Sequence, residues 1–227
     1  KTIAIVVNGD TTAEAHETFF VNLSSPTSAL IADPQAIVTI FNDDGSLSVA
    51  GVSAPEGNSG PRAFNFVVSL AYPSTKTVTV AYETVDGTAT AGSDYTAVSG
   101  VLTFAPGEVS KVVQVQVQGD VLVEDDETFQ LVLSDPTNAA LAAGSATGTI
   151  QNDEATPSLS IGSVSVGEGN SGSTPATFTV VLSTASAHAV TVKYATSGAT
   201  ATSGVDFTAA SGTLTFAPGQ TSKTITV

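Results

Sequence analysis

Asp120, Glu124 and Glu127 fall within one short stretch of the chain, and Asp153 and Glu154 stand side by side further on. Carboxylates on segments that can bend around a large ion are the hard oxygen donors that calcium prefers. Glu56 and Asp94 add two more, the second at the end of a stretch rich in Gly, Ala and Thr. If these groups converge, each unscreened pair at about 4 Å costs up to about 4 kcal/mol at an effective dielectric of about 20. A bound cation is the simplest remedy, and its binding energy should appear as stability. The competing reading is a solvated acidic turn that keeps the chain soluble and guards strand edges. Taken singly, Glu56 reads as the end of a strand and Asp94 as a cap on its own turn.

Other chemistries find little support. The chain has no Cys, which removes disulfides, thiolate zinc sites and cysteine nucleophiles together. His16 and His188 stand apart, without a partner at metal-ligand spacing or a nucleophile to activate. Aromatic residues make up 6% of the chain, too few to build the sugar platforms a paired-carboxylate glycosidase needs. No enzyme activity is expected. Six Lys and Arg against 21 Asp and Glu give a net charge of −15, which repels phosphate backbones and anionic membrane surfaces. No apolar run approaches the length of a membrane-spanning helix. With 41% hydrophobic and 12% charged residues, the composition is that of a folding chain. The chain lacks an initiating Met and is expected to be a part of something longer.

The elements that must position these carboxylates come from a repeat. The stretch from Lys1 (KTIAIVVNGD…ETFFVNLSSPT) matches that from Lys111 (KVVQVQVQGD…ETFQLVLSDPT) at an offset of 110. A second pair, EGNSG from Glu56 and from Glu168, continues through the two LTFAPG segments at an offset of 112. A period of this length is a whole domain rather than a solenoid unit. Residues 78–82, 112–117, 129–133 and 178–182 alternate apolar and polar types and are dominated by Val and Thr, as in half-buried strands. Asn8 with Gly9, Pro106 with Gly107 and Pro218 with Gly219 mark turns, and no helical period is sustained. About seven short strands in each repeat predict an all-β chain of tandem, immunoglobulin-like antiparallel sandwiches. Phe66, Tyr82, Phe104 and Phe129 are the expected core anchors.

The motifs GNSG after Glu56, GTATAGSDY from Gly87, GVLTFAPG from Gly100, Asp120 followed by EDDETF from Glu124, and Asn152 with Asp153 closing a strand resemble the Calx-β module. The resemblance covers the whole chain. It implies that residues 1–44 are the C-terminal part of one module, 45–154 a complete module, and 155–227 the N-terminal part of a third. It also implies calcium at one end of the sandwich, with Glu56, Asp94, Asp120, Glu124, Glu127 and Asp153 as ligands and the Leu122 carbonyl, Asn152 and Glu154 as further candidates. On the partial modules the same mapping gives Asp10, Glu14, Glu17, Asn42 and Asp43, and then Glu168 and Asp206. The strongest calcium binders of the family carry a further acidic residue beside Asp120, where this chain has Gly119 and Val121. That departure implies fewer ions or weaker binding.

The expected function is a structural or adhesive tandem-repeat module of an extracellular or cell-surface protein, rigidified by calcium. A ligand-binding adhesion module and an intracellular calcium-sensing regulatory module are the alternatives. Expected partners are adjacent modules or copies of the chain itself, with no nucleic acid and no membrane insertion. The order of the partial modules fits either a window onto a longer array or strand complementation between neighbouring chains, which would give a head-to-tail filament.

Overall fold

In the computed structural model the described residues are 1–10, 14–42 and 45–227, and their regular structure is all strand. In chain order these are β1 (Glu17–Asn22), β2 (Gln35–Ile40), β3 (Gly45–Val49), β4 (Val52–Pro55), β5 (Gly60–Leu70), β6 (Val78–Asp86), β7 (Ser99–Phe104) and β8 (Ser110–Gly119). They continue as β9 (Glu127–Thr137), β10 (Ala139–Ala143), β11 (Ser145–Gln151), β12 (Leu159–Ile161), β13 (Thr177–Leu182), β14 (Val190–Ala195), β15 (Ser211–Phe216) and β16 (Ser222–Thr226). The chain divides into two compact units. One comprises Lys1–Ser53, Ala63–Val117 and Thr128–Thr149, the other Ala54–Arg62, Gln118–Glu127 and Ile150–Val227.

The first unit holds the antiparallel hairpin β1–β2 and most of a β-sandwich. One sheet of the sandwich has the order β10-β3-β5-β8 and the other β4-β11-β9-β6-β7. Alternation along β5 turns Phe64, Phe66, Val68 and Leu70 inward, and along β9 it turns Phe129, Leu131 and Leu133 inward. In the absence of Trp and Cys, aromatic rings centre the core. Phe129 stacks on Tyr95 at 4.3 Å between ring centroids and meets Phe66 edge-on at 5.7 Å. Phe66, Phe104 and Phe129 are fully buried as expected, whereas Tyr82 is only half-buried and Phe64 and Tyr95 join the core instead.

The residues 45–154 carry nine strands, β3 to β11, where about seven were expected. The first strand is split because it changes sheets: β3 pairs with β5 and β10, and β4 joins the opposite sheet. Gly51 sits at the crossing, where a Cβ would come within 2.7 Å of the Thr147 carbonyl oxygen. The other extra strand, β10, is separated from β9 by Asn138 alone, at positive φ, and runs parallel to β3.

The second unit contains the three-stranded sheet β12-β13-β16 and the hairpin β14–β15. Its buried cluster is Val180, Leu182, Phe216 and Ile225, with Phe178, Val192 and Tyr194 packed against it. The same unit gathers the three segments that carry the acidic residues around Glu56, Asp120 and Asp153.

Candidate metal centre

Glu56 follows β4, and its backbone N–H donates to the Gln151 carbonyl at the end of β11 (3.2 Å). That pairing sets Glu56 beside the residues that leave β11. The Gly57 N–H donates to Asp153 Oδ1 (3.2 Å) and Asn58 Nδ2 to Glu154 Oε1 (3.4 Å). As a result, oxygen atoms of Glu56, Asp153 and Glu154 lie within 4.8 Å of one another. Glu56 is only 6% exposed. Burial, then the negative charges of Asp120, Glu154, Glu124 and Asp153, push its carboxyl up from 4.5 to about 7. Glu154 Oε2 is buried and accepts no hydrogen bond among the described residues.

The acidic loop approaches from the end of β8. Gly119 lies so close to the next segment that a Cβ there would collide with the Gly57 and Glu56 carbonyl oxygens. A side chain beside Asp120 on that flank has no room, which accounts for the missing acidic neighbour. Asp120 Oδ1 accepts from the Leu122 N–H (2.6 Å), bending the loop at its start. Asn152 buckles the rest: its Oδ1 accepts from the Glu124 N–H (2.7 Å), its N–H donates to Asp126 Oδ1 (3.1 Å), and its Nδ2 donates to the Glu154 carbonyl (3.2 Å). Sequence reasoning ranked Asn152 as a ligand candidate and missed this role, although Asn42 repeats it at the same offset.

Of the sequence-derived set, Glu56 and Asp153 are brought together, and Asp120 and Glu124 stand close enough to act on Glu56. Glu154, a lesser candidate, is a full member. Glu127 opens β9 half-buried at the end of the same loop. Asp94 is committed to its own turn, where Oδ2 accepts from the Thr90 N–H (2.7 Å) and hydroxyl (3.1 Å). It does not join the three converging carboxylates.

Asn42, 110 residues before Asn152, repeats the backbone bond of this pattern with a different side-chain bond. Asn42 Nδ2 donates to the Glu14 carbonyl (2.7 Å), and the Asn42 N–H donates to Nδ1 of His16, which takes the place of Asp126 (3.0 Å). Glu17 opens β1 opposite Ile40, Asp10 is exposed, and Asp43 lies outside the described residues. Glu168 and Asp206 line one cavity of about 780 Å³ in the second unit, with Asp206 Oδ2 capping its own turn at the Thr202 N–H (2.8 Å). His16 packs against Phe41 and Tyr72, and His188 pairs with Asp125 (3.2 Å), so neither histidine lies in a cluster of metal-ligating side chains.

A carboxyl raised to about 7 by burial and then by its acidic neighbours, beside a buried carboxylate oxygen with no partner among the described residues, is the donor set a hard divalent cation would satisfy. Extracellular matrix protein 3 of Lytechinus variegatus is 34% identical over 159 residues, 66% of this chain and 5% of that protein. Adhesion G-protein coupled receptor V1 of Danio rerio is 32% identical over 151 residues, 62% of this chain and 2% of the receptor. Sodium/calcium exchanger 1 of Canis lupus familiaris is 47% identical over 60 residues, 26% of this chain and 6% of the exchanger. The chain thus spans only a small part of these relatives. Among solved structures, the apo-form Calx CBD1 domain is similar at 29% identity, covering 48% of this chain and 99% of that one with a TM-score of 0.43. The CBD12 structure from CALX1.2 is similar at 25% identity over 79% of this chain and 74% of that one, with a TM-score of 0.45. The Calx-beta domain pattern matches residues 1–44, 58–155 and 151–227, nearly the whole sequence, and the chain belongs to the Calx-beta domain family.

Proposed function

We propose that this chain is a non-catalytic, calcium-stiffened repeat segment of an extracellular or cell-surface structural or adhesive protein. In this reading residues 45–154 are a complete module flanked by parts of two others. Glu56, Asp120, Glu124, Asp153 and Glu154 hold the ion, and Glu127 closes the loop. The observation that carries it is Glu56, a buried carboxylate within 4.8 Å of two others and pushed up to about 7. Calcium would supply the positive charge that lets these carboxylates ionise together, tying the segments after β4, β8 and β11 to one point. The names of the matrix and adhesion-receptor relatives support the extracellular setting.

The test is thermal unfolding of the chain in calcium and in excess chelator. A melting temperature that rises with calcium, with the rise abolished by Asp120→Asn combined with Glu124→Gln, is the expected result. An equal rise in the double variant would remove this ligand set. The 47% identity to a short part of a sodium/calcium exchanger favours a second reading, a regulatory calcium sensor. That reading requires a calcium-dependent change in binding to an effector rather than in stiffness alone.

A further inference from the structure

The acidic loop does more than gather carboxylates. Within the second compact unit its middle is bonded to residues 183–188, the loop between β13 and β14. The Val123 N–H donates to the Ala185 carbonyl (3.1 Å), and the Ala187 N–H donates back to the Val123 carbonyl (2.9 Å), a two-way backbone pairing closed as a parallel bridge between Val123 and Ser186. The Thr184 hydroxyl donates to the Val121 carbonyl (3.0 Å), and His188 pairs with Asp125 (3.2 Å). The His188–Asp125 contact is exposed on both sides and adds little. The backbone pairing is independent of side-chain identity and fixes direction.

The receiving loop has a counterpart one repeat earlier, and it is built the same way. Ser74 stands 112 residues before Ser186. The Ser74 hydroxyl accepts from the Lys76 N–H (3.0 Å) as that of Ser186 accepts from the His188 N–H (3.0 Å). The Ser74 and Ser186 carbonyls accept from Gly107 (2.9 Å) and Gly219 (2.8 Å). Both serines are buried, at 4% and 6% exposed, although each sits in a connecting loop. At the earlier position the neighbour is again the acidic loop of the preceding repeat: His16, the counterpart of Asp126, lies against Tyr72, the counterpart of Thr184, at 5.6 Å between ring centroids. The same two loops meet through different residues and chemistry: a ring contact of His16 with Tyr72 at the first junction, and Thr184 on the Val121 carbonyl with His188 on Asp125 at the second.

We propose that residues 71–77 and 183–189 are docking surfaces, each receiving the acidic loop of the preceding repeat, so that successive repeats are joined by a two-loop clasp as well as by their linker. The partner this surface fits is a loop presenting an unpaired backbone N–H and carbonyl at the Val123 position. The differing side-chain pairs make each junction specific for its own neighbour. The clasp uses protein groups only and stands whether or not the proposed calcium reading holds.

The test is pulsed electron spin resonance on the whole chain in calcium-containing buffer. The chain has no Cys, so nitroxides report only from cysteines placed at exposed Ser59 and Thr213, both within the second compact unit. The expected result is one narrow distance that is lost in Val123→Pro, which deletes the donating N–H. Thr184→Val with His188→Ser, which leaves every backbone donor in place, should keep the distance narrow and so separates the backbone pairing from the side-chain contacts. At the first junction Tyr72→Ala should broaden the distance between labels at Thr39 and Thr103. A broad distribution in the parent chain, or an unchanged narrow distance in the folded Val123→Pro chain, would overturn the proposal.

Discussion

Glu56 is held where its charge is costly: it is almost fully buried and faces four other acidic residues. Its folded-state pKa, about 7, lies above the ordinary 4.5, so between these values the folded chain keeps a proton that the unfolded chain has released. Stability without metal therefore falls as pH rises from about 4.5 to about 7, by up to about 3 kcal/mol at 1.36 kcal/mol per pKa unit. Denaturant titrations in chelator at pH 5 and pH 7.5 should show that fall, and Glu56→Gln should remove most of it. A chain equally stable at both values would mean that Glu56 is not strained by its neighbours. Calcium, which needs the ionised carboxylate, should flatten the same slope. At this scale the proximity of Asp120, Glu124 and Asp153 to Glu56 was legible, because carboxylates in the acidic segments mark themselves in sequence. Asp94 was not separable from them in sequence, since a turn-capping Asp and a ligand Asp are the same residue until the Thr90 N–H is seen to occupy its oxygen.

The strands carry the site through their ends, and what fixes those ends is not always charged. Asn152 holds the Glu124 N–H and the Glu154 carbonyl at once, so Asn152→Ala should cost about 1–2 kcal/mol and weaken the calcium-dependent rise, read by denaturant unfolding with and without calcium. Gly148 on β11 lies against the Phe129 and Phe66 rings, where a Cβ would approach to 2.6 Å. Gly148→Ala should therefore overpack the core by about 1–3 kcal/mol while leaving calcium binding in place, a separation that calorimetry can read. A stable Gly148→Ala chain would contradict the packing described for Phe129. Several strands were readable from alternation, residues 112–117 and 129–133 among them, whereas Phe64 was passed over although a period of two puts it on the same face as Phe66. Tyr95 was not readable: it follows a turn with no alternation around it, and its place in the core is set by stacking on Phe129 and by its hydroxyl donating to Asp86. The sheet switch at Gly51 escaped for a similar reason, since it depends on a carbonyl nearly a hundred residues away in sequence.

Across the whole chain the repeat was the most legible feature, because its two offsets are written in residue identities. The junctions between repeats were not, because the two-way bonding of Val123 to residues 183–188 involves backbone atoms that every residue carries. In the proposed reading, a divalent ion at 100 times its dissociation constant would stabilise the folded chain by about 2.7 kcal/mol, comparable to what ionising Glu56 costs through burial and repulsion together. The most direct measurement is a calorimetric titration of calcium into the metal-free chain at pH 7.5, paired with the same titration into Glu56→Gln. The account predicts saturable binding to the parent chain, stronger at pH 7.5 than at pH 5.5, and lost or severely weakened in Glu56→Gln. Binding of equal strength in the variant, or no binding to the parent chain at millimolar calcium, would contradict it.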